Sequence, residues 1–253
     1  MADEVLYESG GGIAVITLNR PAKRNALNAA MREGLWSAWR RFESDPEQRV
    51  AILTGVGPAF CAGIDLVEFA DTRLGAPPPN FLPVLGENIS VTKPTIAAVN
   101  GGAYAGGWRL VQMCDLCVAA ETARFAITEA RVGRGMHWAA PLVHMVPPRI
   151  LLEILMTAEP ISAQRAYELG FVNHVVAATD VMAKARDLAA KIIAGAPLVV
   201  SAAKEMVAAA TGRSRQDGLA AAECIFAPVY DSQDALEGPL AFREKRPPKW
   251  SGR

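Results

Sequence analysis

Twice along this chain an apolar, strand-like run passes through a glycine turn into a helix-like run, and that repetition limits the fold more than any other feature. Thr95–Val99 reads as a buried strand, Asn100-Gly-Gly-Ala-Tyr-Ala-Gly-Gly107 as a small-residue turn, and Trp108–Met113 as an apolar-periodic helix. Val50–Thr54 leads in the same way through Ala59-Phe-Cys-Ala-Gly-Ile-Asp65 toward a helix that reaches Phe69. Leu116–Ala120 is a further strand. Alternation of this kind predicts α/β units with largely parallel sheets. Glycines at a strand-to-helix turn let the backbone approach a ligand closely. They also leave the helix's first N–H groups unpaired, at a terminus that favours negative charge. One such turn is equally well read as avoiding a Cβ clash. Two of them could aim one N–H each at a single oxygen, the arrangement that stabilises an enolate or a tetrahedral oxyanion.

The remaining pattern fills in around these units. Val5–Glu8 and Ile13–Leu18 are β-rich runs about Ser9-Gly-Gly-Gly12, a hairpin signature. Asn28–Phe42 is helical in pattern, with Leu27, Met31, Leu35 and Trp39 at four-residue spacing. Leu74-Gly-Ala-Pro-Pro-Pro-Asn80 is breaker-rich and reads as a surface loop, with a lid over a pocket as the alternative. Beyond Pro197 the spacing predicts three amphipathic helices, Leu198–Thr211, Gln216–Pro228 and Ser232–Glu244. Their alanine-rich faces, Ala208–Ala210 and Ala220–Ala222, suit close packing within or between chains.

The balance of 26 basic and 26 acidic side chains gives no reason to expect nucleic acid or an anionic membrane as a partner. No apolar stretch reaches spanning length, and Met1-Ala-Asp-Glu lacks the layout of a signal peptide, so a cytoplasmic protein is expected. Cys114-Asp-Leu-Cys117 has redox-motif spacing but lies inside the apolar run Leu110–Ala120, where small buried hydrophobes are the better reading. His137, His144 and His174 are too scattered for a zinc site, and no metal is expected.

Four stretches together carry a resemblance: Asn19-Arg-Pro-Ala-Lys-Arg-Asn-Ala-Leu27, Ala59–Asp65, Lys93-Pro-Thr-Ile-Ala-Ala-Val-Asn-Gly101 and Glu237-Gly-Pro-Leu-Ala-Phe-Arg-Glu-Lys-Arg246. In that order they resemble the crotonase (enoyl-CoA hydratase/isomerase) superfamily over nearly the whole chain. The resemblance implies an α/β fold with a crotonase-like β/α spiral core over residues 1–196. It also implies a C-terminal helical region over residues 197–253 that packs against neighbours in a homotrimer or homohexamer. By motif matching, the oxyanion donors should be the backbone N–H groups of Ile64 and Gly106, acting on an acyl-CoA thioester. Coenzyme A is then part of the substrate, and no separate cofactor is expected. Its arm should lie along Lys23, Arg24, Asn25 and Ala26, with Phe242 and Lys245 completing the site, an adjacent subunit being one possible source.

The acid–base positions depart from the two-glutamate pattern of the superfamily's hydratases. One carboxylate matches Glu129, but the other position, three residues after the oxyanion glycine, is Arg109. A guanidinium cannot act as a base, and beside Glu129 it would hold that carboxyl ionised with a lowered pKa. Arg109 could instead pair with a substrate carboxylate. His137, eight residues after Glu129, stands where some members carry a pocket-facing aspartate. It could serve as acid or base, or simply open the helix expected at Trp138–His144. Trp108 and Trp138 line either the core or the acyl pocket. The resemblance implies an enzyme that stabilises a thioester enolate while Glu129 shuttles a proton, in double-bond isomerisation or related lyase chemistry. A hydratase or dehydratase using Glu129 and His137, and a non-catalytic acyl-CoA-binding protein, are the alternatives.

Overall fold

The computed structural model describes residues 3–72 and 75–253. Leu74, the first residue of the breaker-rich segment, lies outside the described residues. The larger sheet holds β1 (Val5–Gly10), β2 (Ile13–Leu18), β3 (Val50–Gly55), β5 (Thr95–Val99), β7 (Leu116–Ala120) and β10 (His174–Val176), in that spatial order. Its β1–β2 hairpin is antiparallel and every other pair is parallel. The smaller sheet holds β4 (Ala59–Cys61), β6 (Gly102–Tyr104), β8 (Arg124–Ala126) and β9 (Ile161–Ser162), with β4, β6 and β8 parallel.

Three consecutive turns of chain each lay one strand in either sheet and then enter a helix. These are β3-β4 into α2 (Leu66–Thr72), β5-β6 into α3 (Gly106–Gln112), and β7-β8 into α4 (Glu129–Val132). The chain therefore winds as the expected β/α spiral. It also places the starts of three helices side by side at the carboxyl ends of β4, β6 and β8. The central strands of the larger sheet, β3, β5 and β7, are buried on both faces, which is why they read as continuous apolar runs.

The sequence read Ala59–Cys61 and Gly102–Tyr104 as parts of glycine turns, whereas both are strands. At three residues each they are too short to show a period, and they exist because β8 and one another supply their hydrogen-bond partners. α1 (Ala29–Ser44) starts one residue after the expected position. Asn28 is its N-cap, the side-chain oxygen accepting from Met31 N–H at 2.9 Å, and Met31, Leu35, Trp39 and Phe42 are buried. Trp108 is fully buried against Phe125 and Phe171, with ring centroids 5.8 and 5.0 Å away. It belongs to the core.

α5 (Pro148–Thr157), α6 (Ala163–Glu168) and α7 (Val181–Ile193) complete the spiral's outer layer. Three helices follow within a residue or two of expectation: α8 (Pro197–Ala210), α9 (Arg215–Tyr230) and α10 (Gln233–Glu244). The segment after α10 folds back along it. Buried Asp234 accepts from Ser251 and Gly252 N–H groups, Arg246 grips both oxygens of Glu237 at 2.6 and 2.9 Å, and Trp250 donates to Ala194. Cys114 and Cys117 are unbridged, Cys117 within the core and Cys114 packed against it, and burial raises both thiols, Cys114 to about 12.

Candidate active site

Ile64, Gly106 and Glu129 occupy equivalent places in the three turns of the spiral, just past β4, β6 and β8. The carboxyl ends of parallel strands are where α/β sheets present their ligand crevices. Two glycines make the approach of the first two turns possible. Gly63 has φ +94°, and a Cβ there would sit 2.9 Å from the Tyr104 carbonyl and 3.3 Å from the Gly106 nitrogen. A Cβ on Gly107 would lie 2.2 Å from the Cys61 carbonyl, so any side chain would force β4 and α3 apart. A Cβ built on Gly106 would be 3.6 Å from the Ile64 nitrogen, which places the two amides beside each other.

Neither amide is consumed by the fold. Among the described residues, the N–H groups of Ile64 and Gly106 donate to no protein acceptor, while their neighbours do: Asp65 N–H to Leu27, Ala105 N–H to Ala126, Gly63 N–H to the Cys61 sulfur. Gly106 opens α3, so its free N–H is the expected orphan of a helix start. Ala105, immediately before it, is held at φ 50°, ψ −115°, a conformation that favours glycine.

Glu129 opens α4 and is only 7% exposed. One carboxylate oxygen, Oε1, accepts from the indole Nε1–H of Trp138 at 3.0 Å. The other, Oε2, is buried without a partner among the described residues. Burial pushes the carboxyl above the usual carboxylate value. The Trp138 N–H and the backbone N–H groups of Glu129 and Thr128 act in the opposite direction without cancelling it. A carboxyl of this kind can hold a proton closer to neutrality than a solvated glutamate and pass it to a bound molecule.

Arg109 does not do what the sequence led us to expect. Its guanidinium pairs with Glu87 at 3.0 Å, in the loop between α2 and β5, and it is not among the groups that set the proton affinity of Glu129. Glu129 is therefore raised rather than lowered. The reason is directional: Arg109 lies one turn into α3, and its side chain runs to the loop instead of toward α4. His137 is exposed at the first position of a 3-10 helix, His137–His144, whose next residue is the Trp138 that holds Glu129.

The Lys23–Ala26 segment docks directly on the Ile64 turn. Ala62 N–H donates to Arg24, Leu27 N–H to Gly63 at 2.8 Å, and Leu27 and Ile64 form an isolated parallel bridge. The N–H groups of Lys23, Arg24, Asn25 and Ala26 all close local turns, so what this segment can offer a ligand is carbonyl oxygens and the exposed Lys23 and Arg24 side chains. The Asn25 side chain is fully buried. It donates to the Val56, Ala59 and Phe60 carbonyls and accepts from Arg20, clasping the segment to β4. Phe242, 87% exposed, and Lys245, the left-handed C-cap of α10, make no hydrogen bond, ion pair or ring contact with it among the described residues. The structure thus brings Lys23–Ala26, Ile64 and Gly106 together and sets Glu129 at the matching place of the next turn. Sequence reasoning missed the Trp138–Glu129 contact, for which an indole nine residues after a glutamate is too faint a signal.

Comparison with known proteins follows the same lines. The family model for enoyl-CoA hydratase/isomerase matches residues 8–253. A carnitinyl-CoA dehydratase from Proteus mirabilis is 39% identical, covering 100% of both chains. One from Salmonella typhi is equally similar over the same extent. Among solved structures, an enoyl-CoA hydratase from Mycobacterium tuberculosis superimposes with TM-score 0.90 at 39% identity, over 99% of this chain and 100% of that one. An enoyl-CoA hydratase from Mycobacterium marinum gives 0.91 at 38%, again over 99% and 100%.

Proposed function

The chain belongs to the enoyl-CoA hydratase/isomerase family, and from that premise we propose that it is an acyl-CoA hydratase/dehydratase-type enzyme in which Glu129 alone carries the proton. The observation that carries this reading is the Glu129 carboxyl itself: buried, raised, one oxygen anchored and the other free.

The thioester oxygen binds between the N–H groups of Ile64 and Gly106. With a 3-hydroxyacyl thioester, the Glu129 carboxylate takes the proton from C2, and the electron pair of that C–H bond moves into the thioester as an enolate. Each of the two donors then contributes roughly 10²–10³ in rate. As the enolate collapses, the C3–O bond breaks and the same proton leaves Glu129 with the departing hydroxide as water. The products are a 2-enoyl thioester, water and the regenerated carboxylate, and hydration is the reverse. A single carboxyl suffices because the proton it removes is the one it returns. Arg109 is engaged by Glu87, and among the described residues no guanidinium is one of the groups that set the proton affinity of that carboxyl.

The names of the relatives support water loss and addition. The presence of one carboxyl also favours a second reading, a double-bond shift in which Glu129 moves a proton between C2 and C4. The CoA phosphates fall to Lys23 and Arg24 in either case. Incubating the protein with 3-hydroxybutyryl-CoA and with a 3-enoyl-CoA, and following 2-enoyl thioester absorbance, separates the two. Glu129→Gln should lower kcat about a hundredfold with KM nearly unchanged. An unchanged kcat in that variant would remove the reading.

A further inference from the structure

We propose that Trp138 is the positioning residue of this site: its indole N–H fixes Oε1 of Glu129 so that Oε2 alone faces the substrate. The inference rests on Glu129 being the proton carrier, but it concerns a different residue and can fail separately.

The geometry is specific. Glu129 sits at the first position of a four-residue helix, α4, and is buried there. Trp138 stands nine residues on in a different element, the 3-10 helix, and is itself 8% exposed, so the ring is fixed by packing. Its Nε1–H reaches Oε1 at 3.0 Å within the buried region. The indole nitrogen is a donor only, so it orients the carboxylate without exchanging protons with it. The Trp138 carbonyl also accepts from Gln112 Nε2 at 3.2 Å, which ties the same residue to the far end of α3, the helix whose first N–H is Gly106. One residue thus sets the third turn of the spiral against the second.

This anchoring has a chemical consequence. A carboxyl with two equivalent free oxygens would present either one, and a proton could reside on the oxygen turned away from the substrate. With Oε1 accepting from an N–H, the proton belongs on Oε2. The same hydrogen bond favours the charged form, so Trp138 offsets part of what burial does to Glu129.

The test is Trp138→Phe, which keeps an aromatic ring and removes the donor. Acyl-CoA affinity should be kept, kcat should fall about tenfold or more, and the acid limb of the kcat/KM profile should move to higher pH. In the Glu129→Gln background Trp138→Phe should add nothing, since its partner is already disabled; a merely structural tryptophan would lower both backgrounds alike. A profile that stays in place, or equal losses in the two backgrounds, overturns the proposal. Because Trp138→Phe could fail to fold, the wild-type protein provides an independent reading. With 15N-labelled tryptophan, one of the five indole signals should titrate with the midpoint of the acid limb and lose that dependence in Glu129→Gln. If no indole signal follows the carboxyl, the proposal is wrong even where Glu129→Gln has abolished activity.

Discussion

At the scale of the residue, the burial of Glu129 carries an energetic cost. The folded pKa of Glu129 lies above the usual carboxylate value of 4.5 because burial disfavours the charge. For a group raised in this way, the folded protein binds more protons than the unfolded chain between the two pKa values. The stability it contributes is complete below the unfolded value and is lost as pH rises through the folded one. Glu129→Gln removes that dependence while its amide oxygen can still accept from Trp138. The melting temperature of the variant, relative to wild type, should therefore rise from pH 4 to pH 7; a gap that is flat or shrinks with pH would contradict the burial argument. Glu129 was legible in the sequence because its position matches a family pattern. The partner of Arg109 was not: Glu87 lies twenty-two residues upstream in a loop, a pairing that only the tertiary fold creates. The clasp made by the Asn25 side chain, which holds its segment to the Val56, Ala59 and Phe60 carbonyls, was likewise visible only in the fold.

At the scale of the element, helices α8–α10 and strands β3, β5 and β7 were readable because each is long or strongly apolar. β4 and β6 were not, since three residues cannot display alternation and their existence depends on strands elsewhere in the chain. The turn between β6 and α3 is the element on which the site depends most. It holds Ala105 in a backbone conformation that costs an L-residue about 1–3 kcal/mol. Glycine would relieve that strain, and the looser unfolded chain would offset about 0.4–1 kcal/mol of the gain. Ala105→Gly should accordingly be neutral or stabilising in urea denaturation, with kcat retained. A loss of about 1 kcal/mol, the usual result of alanine-to-glycine in a helix, would show that Ala105 is not strained.

At the scale of the whole molecule, the spiral explains why residues far apart in sequence converge: each turn delivers one candidate site residue, Ile64, Gly106 or Glu129, just past a strand of the smaller sheet. The resemblance predicted this winding, which neither periodicity nor spacing could have distinguished from a doubly wound sheet. The helical C-terminal region leaves Leu219, Tyr230, Leu236 and Phe242 at 56–87% exposure. We expect these helices to join copies of the chain into a trimer or hexamer, and light scattering that gives a monomer at micromolar concentration would refute this. The central claim is that Glu129 and the paired amides of Ile64 and Gly106 together make a thioester enolate. It is tested most directly by proton exchange at C2 of butyryl-CoA in deuterated water, which requires the enolate but neither water addition nor a double bond. The wild-type protein should wash deuterium into C2, and Glu129→Gln should reduce the rate about a hundredfold or more. Exchange at the uncatalysed rate in the wild type, or undiminished exchange in Glu129→Gln, would contradict it.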